Sequence, residues 1–229
     1  MRLLGVLGGM SWASTQHYYR LLNEGVAARL GGLHSARLLV HSVDFAPVAA
    51  AQHAGDWDET ARILATAAAG LSRAGAEGLL LATNTMHKVA DEIEAASGIR
   101  LIHLADATAL AVHAAGHTRV GLLATAFTME EDFYVGSLRT HGLDVVVPDA
   151  PDRALVHRVI YDELCHDIVR EPSRTAYRQV VERLAGAGAQ AVILGCTEIG
   201  MLIGPDDVPL PAFDTTAIHA AAGVDFLLG

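Results

Sequence analysis

The sequence predicts an α/β protein with two pseudo-symmetric lobes, each a parallel sheet flanked by helices, and an active site in the cleft between them. Short apolar runs alternate with helical patterns along all 229 residues, which is typical of parallel sheets with helices on both faces. The segments GAEGLLLAT (residues 75–83) and GAQAVILGCT (residues 188–197) look like two copies of one unit. Polar residues follow both apolar runs, where open α/β sheets keep their ligand sites.

The first lobe is predicted to comprise residues 1–100 and 207–229. Its strands are short apolar runs bounded by glycine or polar residues, and its helices have apolar side chains at helical spacing. Strands are predicted at residues 2–7 and 36–43 and in the run that ends at Ala82, and helices at residues 14–30 and 58–74. A short strand predicted at residues 101–104 follows at the start of the second lobe.

The pattern then restarts, and the second lobe is predicted to comprise residues 101–206. Strands are predicted at residues 119–123 and 144–147 and in the run to Gly195, and helices at residues 129–141, 153–167 and 172–185. A last short strand at residues 209–213 and a helix from about Thr215 complete the chain.

Bulk properties exclude several classes of protein. A chain that is 52% hydrophobic and 18% charged is globular and not disordered. A net charge of -10 argues against nucleic acid or an anionic membrane surface as a partner. No apolar run reaches the roughly 18 residues of a membrane span, and the N-terminal run leads straight into glycines, unlike a signal peptide. We therefore expect a cytoplasmic protein.

Cys196 has the strongest physical case for a chemical role. It lies where a buried strand should give way to a helix, and helix N–H groups lower a thiol pKa from about 8.5 towards that of a usable nucleophile or base. The alternative is a small, buried and inert side chain. Cys165 has no evident activating partner, and a chain of this length does not need a disulfide.

Hydroxyl and amide side chains gather at the predicted strand ends. Thr83, Asn84, Thr85, Thr197 and, after two glycines, Ser11 would offer hydroxyls and backbone N–H groups to a carboxylate. Turns and helix caps favour the same residue types, but the concentration at strand ends favours a ligand.

Metal and cofactor sites are not expected. His113 and His117 are four residues apart, but no acidic residue lies between them as in metalloprotease motifs. The glycines of GVLGGM do not form a dinucleotide-binding fingerprint. His87 and His219 lie beside the predicted cleft and would either orient a group there or be structural.

Several motifs together resemble the aspartate/glutamate racemase family, most closely its broad-specificity amino-acid racemase subgroup. They are LGGMSWAST (residues 7–15), NEGVAARLGGLHSA (23–36), TNTMHKVAD (83–91), GCTEIG (195–200) and DTTAIHA (214–220). The resemblance covers nearly the whole chain. It implies a homodimer that racemises aspartate, glutamate or other polar amino acids without pyridoxal phosphate or metal.

The family uses two cysteines, one for each face of the bound amino acid. By motif, Cys196 matches the second cysteine, whereas Ala82 stands where the subgroup has the first. The positions that match substrate contacts of the family are Met10, Ser11, Gln52, Thr83, Asn84, Thr85, Thr125, Thr128 and Thr197.

Ala82 makes racemisation at a useful rate unexpected, because inversion needs an acid and a base on opposite faces. Either a cysteine has been replaced to trap intact substrate, or this is a natural relative with one thiol. We expect substrate binding and exchange of the Cα proton of one enantiomer through Cys196. The alternatives are a one-thiol decarboxylase of malonate-like acids and a non-catalytic amino-acid-binding protein.

Overall fold

Eight parallel strands and eleven α-helices make up the protein in a computed structural model that describes residues 1–229. The strands are β1 (Leu4–Gly8), β2 (Leu38–Ser42), β3 (Gly78–Leu81), β4 (Leu101–Ile102), β5 (Arg119–Leu123), β6 (Asp144–Val146), β7 (Ala191–Leu194) and β8 (Ala212–Asp214). The helices are α1 (Trp12–Leu30), α2 (Phe45–Ala54), α3 (Trp57–Arg73), α4 (Ala90–Ser97), α5 (Leu104–Ala114), α6 (Ala126–Glu130), α7 (Asp132–Thr140), α8 (Ala150–Asp162), α9 (Glu171–Gly186), α10 (Ile199–Leu202) and α11 (Thr215–Leu228). No helix combines the length and the apolar character needed to cross a bilayer.

The two sheets have the same topology. The first has the order β2-β1-β3-β4 and the second the order β6-β5-β7-β8, with every neighbouring pair parallel. The chain divides into two units, Met1–His103 with His219–Gly229 and Leu104–Ile218, and each unit contains one sheet. The predicted fold class is confirmed.

In the first unit, helices cover both faces of the sheet. On one face, Leu4, Val6 and Leu80 pack with residues of α1 and α11. On the other face, Leu7 and Leu81 pack with residues of α3 and α4. Because both faces are covered, β1 and β3 are buried along their whole length, which explains their continuous apolar sequences.

Glycines allow α1 and α11 to approach this sheet closely. A Cβ atom on Gly25 of α1 would lie 2.7 Å from a methyl group of Val224 on α11. A Cβ atom on Gly223 would lie 2.8 Å from Leu22 and 2.9 Å from Leu80. The last helix is therefore fitted tightly into the first unit.

The second unit contains one core built around β5 and β7, which pair from Val120 with Ala191 to Leu123 with Leu194. The sequence placed its end at residue 206. In the structure β8 pairs with β7, so the unit extends to Ile218. The chain thus passes between the units at His103–Leu104 and at Ile218–His219.

Two predicted helices are interrupted in the second unit. The helix predicted at residues 129–141 is divided into α6 and α7, because Glu131 has extended backbone angles (φ −94°, ψ 153°). The helix predicted at residues 153–167 ends at Asp162 as α8 and is followed by a 3-10 turn, Leu164–His166. Asp167 then has a left-handed conformation with φ of 60°, which ends the turn.

Candidate active site

Residues 82–87, which we call the Ala82 loop, follow β3 in the first unit. The N–H of Ala82 donates to the carbonyl of Leu7 at 2.9 Å and so extends the ladder between β1 and β3 by one residue. The Ser14 hydroxyl of α1 donates to the carbonyl of Ala82 at 3.3 Å. Ala82 is completely buried and packs in the apolar cluster with Tyr18 and Ala220. The position predicted for the missing cysteine is therefore a fixed, buried methyl group.

The polar residues of the Ala82 loop are also buried. Thr83 and Asn84 lie directly after the strand, and Thr85 begins a 3-10 helix, Thr85–Val89. The Nδ1 atom of His87 donates to the carbonyl of Thr83 at 2.9 Å. His87, at the C-terminal end of the loop, therefore fixes the backbone at Thr83, near its N-terminal end.

Ser11 and Met10 follow β1, the strand next to β3, so they lie at the same edge of this sheet. Ser11 caps α1, because its hydroxyl accepts from the N–H of Ser14 at 3.2 Å. The sequence left helix capping and ligand binding open for Ser11, and the structure shows that its hydroxyl caps a helix. Met10 is buried, and Gln52 is buried on α2.

Residues 195–199, which we call the Cys196 loop, have the corresponding place in the second unit. The N–H of Gly195 donates to the carbonyl of Leu123 at 2.7 Å and extends the ladder between β5 and β7. A Cβ atom on Gly195 would lie 2.8 Å from Leu122, so the turn requires glycine. Cys196 follows with 8% of its surface exposed.

Glu198 is the immediate polar partner of Cys196. The Sγ atom of Cys196 donates to the Oε2 atom of Glu198 at 3.0 Å, and the Thr197 hydroxyl donates to the same oxygen. Glu198 itself is only 5% exposed. A thiol and a carboxylate thus form a buried, hydrogen-bonded pair, which is an arrangement suited to proton transfer.

The pKa of Cys196 is raised well above its ordinary value. Burial is the largest cause, and the negative charge of Glu198 is the next. The hydrogen bond from the backbone N–H of Glu198 lowers this pKa, but its effect is smaller than those of burial and of the Glu198 charge. The expectation that a helix start lowers the pKa is therefore wrong, since α10 has only four residues and the carboxylate is closer. In the resting protein Cys196 is a neutral thiol.

Apolar and weakly acidic groups surround this pair. Burial and the charge of Glu198 raise the pKa of the half-buried Cys165 to about 12. The Tyr177 hydroxyl donates to the carbonyl of Val156 at 2.9 Å, and its pKa is raised by burial and then by Cys196. Cys165 and Cys196 are both free thiols.

Thr125 and Thr128 lie after β5, next to β7, and so share the sheet edge of Cys196. Both are buried, and their hydroxyl oxygens are 3.2 Å apart. The N–H of Ala126 donates to the Nδ1 atom of His157 at 3.2 Å, which anchors the start of α6. The predicted site residues are therefore divided between the ends of β1 and β3 in the first unit and the ends of β5 and β7 in the second, except for Gln52, which lies on α2.

Glu198 is a candidate site residue that the sequence analysis did not single out. The signal was present in GCTEIG, where a carboxylate stands two residues after the thiol in a segment expected to be buried. A buried carboxylate needs a partner, and the nearest donors were Cys196 and Thr197. No three His, Cys, Asp or Glu side chains are grouped as a metal site would require.

Comparison with known proteins agrees with the architecture. The model of the Asp/Glu/Hydantoin racemase family matches residues 7–223. The chain belongs to this family. A proposed Asp/Glu racemase from Yersinia pestis is 51% identical, with a TM-score of 0.94 over 100% of both chains. An aspartate racemase homologue from Pyrococcus horikoshii is 30% identical, with a TM-score of 0.88 over 100% of both chains.

The fold extends to more distant proteins. The aspartate racemase of Picrophilus torridus has a TM-score of 0.78 at 21% identity, over 99% of this chain and 94% of that one. At this identity the likeness concerns the fold alone. The racemase-family scaffold and its pair of parallel sheets are therefore shown.

Proposed function

We propose that this chain is a cofactor-independent amino-acid racemase scaffold for acidic or other polar amino acids in which Ala82 replaces one of the two proton-transfer groups. As it stands, the chain exchanges the Cα proton of one enantiomer through Cys196. The observation that carries the proposal is the buried, hydrogen-bonded pair of Cys196 and Glu198 at the end of β7.

The pair supplies a base in two steps. The Sγ–H proton of Cys196 moves to Oε2 of Glu198 along the existing hydrogen bond of 3.0 Å. The resulting thiolate then removes the Cα proton, and the electron pair of the C–H bond passes into the substrate carboxylate as an enolate. Because its pKa is raised, the thiolate is scarce but strongly basic, which suits the weakly acidic Cα–H bond.

The enolate needs donors for its developing negative charge. We assign this role to the hydroxyl, amide and backbone N–H groups of Ser11, Gln52, Thr83, Asn84, Thr85, Thr125, Thr128 and Thr197, with Met10 lining the site. Their burial supports the assignment for most of them, because donors shielded from water stabilise an anion more strongly.

Inversion requires a proton donor for the opposite face, and Ala82 has only a methyl group. In deuterium oxide, the proton that Cys196 has taken from Cα exchanges with solvent deuterium, and return of a deuteron from Sγ to the same face regenerates the original enantiomer. The expected product is therefore substrate that is deuterated at Cα with its configuration retained. The resemblance to the racemases also supports a homodimer, which light scattering would test.

The experiment is incubation of the chain in deuterium oxide with L- and D-aspartate and L- and D-glutamate, each in a separate reaction. Proton NMR follows the Cα signal, and chiral chromatography follows the enantiomer ratio. We expect deuteration of one enantiomer with little change in that ratio. Rapid racemisation of any of the four would contradict the assignment of Ala82 as the missing group.

A single thiol also fits decarboxylation of a malonate-like acid, in which Cys196 would protonate one face of the carbanion. Release of carbon dioxide from substituted malonates, without Cα exchange of amino acids, would favour that reaction. Binding of an amino acid by calorimetry with neither exchange nor decarboxylation would favour a binding protein.

A further inference from the structure

In the first unit, two further histidines and a tyrosine form a group with His87, the last residue of the Ala82 loop. The members of this histidine cluster are His87, His103, His219 and Tyr18. The ring centroid of His87 lies 4.8 Å from that of His103 and 5.6 Å from that of His219, and both pairs of rings meet edge to face. His219 contacts Tyr18 in the same manner at 5.7 Å. The proposed proton transfer uses none of these side chains.

Hydrogen bonds fix which nitrogen of two rings carries a proton. A carbonyl oxygen only accepts, so the Nδ1 atom of His87, 2.9 Å from the Thr83 carbonyl, must carry hydrogen. The Nε2 atom of His219 must carry hydrogen too, because it lies 2.7 Å from the carbonyl of Ile102. The Nδ1 atom of His219 is then an acceptor and receives the Tyr18 hydroxyl at 3.0 Å.

Burial keeps both rings neutral. It lowers the pKa of His87 well below the ordinary value and that of His219 to about 4, and His103 lowers both further. The titratable groups that contact these rings edge to face include His103 after β4 and Tyr18 on α1.

The cluster joins separate segments to the Ala82 loop. His87 holds the loop through the Thr83 carbonyl, and His219 joins α11 to the end of β4 and to α1. His103 and His219 also stand at the two places where the chain passes between its units. The loop is thus tied to segments that are distant in sequence.

We propose that His87 and His219 are positioning residues, which as neutral imidazoles hold the Ala82 loop in the conformation that presents Thr83, Asn84 and Thr85 to the substrate carboxylate. The role of the loop rests on the proposed function, but the neutral state and tautomers of the rings do not. The two parts are therefore tested separately.

The first test is nitrogen-15 NMR of the imidazoles in the unaltered chain, without ligand. We expect a neutral His87 with hydrogen on Nδ1 and a neutral His219 with hydrogen on Nε2 at pH 7 and still at pH 5.5. The opposite tautomer, or an imidazolium ion for either ring at pH 6.5, would overturn the inference. This result does not depend on any catalytic activity.

The second test compares His87→Asn with His87→Gln. The Asn amide nitrogen falls close to the Nδ1 position and keeps the donor to Thr83, whereas the Gln nitrogen falls close to Nε2 and loses it. In the deuterium exchange assay we expect His87→Gln to raise KM about tenfold with little change in kcat, as for one lost buried hydrogen bond. His87→Asn should restore KM to within about threefold of the unaltered chain. Equal effects of both substitutions would mean that His87 only fills space and would overturn its positioning role.

Tyr18→Phe provides a variant that keeps the ring contact should the histidine variants fail to fold. It removes only the hydroxyl that His219 accepts, so we expect KM to rise about threefold at constant kcat. An unchanged KM would overturn the role of His219. If the unaltered chain exchanges no substrate proton, the proposed function fails, and the NMR result alone decides whether the cluster is neutral and ordered as inferred.

Discussion

The Ala82 loop and the Cys196 loop have the same place in two sheets of identical strand order, yet their chemistry differs. In the Cys196 loop, a thiol donates to a carboxylate that belongs to the same turn. In the Ala82 loop, the residue that the motif match assigns to the first cysteine has only a methyl group, and Thr83 holds the ladder position that corresponds to Cys196. The Nδ1 atom of His87 donates to the backbone carbonyl of Thr83. The difference teaches that one repeated scaffold can carry different side chains in its two copies, and the proposed proton transfer depends on the side chains of the Cys196 loop alone.

Burial acts on both loops but in opposite directions. It raises the pKa of the Cys196 thiol and lowers the pKa of the His87 and His219 imidazoles. Both effects favour the neutral form. The resting protein therefore keeps an uncharged acid in one unit and uncharged bases in the other.

We expect the largest effect on Cα exchange when the thiol is removed from the Cys196 loop. Cys196→Ala should reduce Cα exchange by about 10²–10⁴-fold, the usual contribution of a positioned acid–base group. Cys165→Ala is the matched control, because it removes the other thiol of the same unit and should retain most of the exchange. Deuterium incorporation measures the exchange. Equal losses in the two variants would contradict the assignment of the proton exchange to Cys196.

Acid should weaken the first unit through His219. Its folded pKa of about 4 lies below the ordinary 6.5, so its neutral form contributes stability that is full above pH 6.5 and is lost as the pH falls through 4. This shift corresponds to about 3 kcal/mol of unfolding free energy. Urea unfolding between pH 7 and pH 4 measures it, and His219→Gln should flatten the dependence. An equally steep fall in that variant would assign the effect to other groups.

Alkali should act on the second unit instead. Because the folded pKa of Cys196 is raised, the neutral thiol contributes stability below its ordinary pKa and loses it as the pH rises through the folded value. Glu198→Gln removes a charge that raises this pKa, so alkylation of Cys196 should begin at lower pH. Deuterium exchange should nevertheless fall about tenfold, because the proton acceptor is weakened. Glu198→Asp is the control that keeps the charge, and an unchanged alkylation profile in Glu198→Gln would contradict the pairing.

Local sequence patterns predicted the strands and the Cys196 loop because each depends on neighbouring residues. The buried runs before Ala82 and Cys196 end in small residues, and a glycine precedes Cys196 where a side chain would clash with Leu122. The same local reading failed for the pKa of Cys196, since it considered the helix start but not the carboxylate two residues further on.

The histidine cluster was predicted only in part, because its contacts join distant segments. His87 and His219 were recognised as either orienting or structural residues, but nothing in the sequence shows that Tyr18 donates to a ring 201 positions away. Likewise, the pairing of β8 with β7 decides where the second unit ends, and the apolar run alone does not reveal it. Contacts between residues distant in sequence therefore determine the surroundings of His87 and His219 and the end of the second unit, which local sequence patterns do not show.

The most direct test of the central claim is to give the Ala82 loop a thiol. Ala82→Cys should turn one-sided exchange into racemisation of the same amino acid, with deuterium appearing in both enantiomers. Ala82→Ser, which has a similar size but a far weaker acid, should not. Chiral analysis of the products in deuterium oxide measures the difference. Racemisation only in Ala82→Cys is the predicted result, whereas one-handed exchange that persists unchanged in this variant would contradict the account.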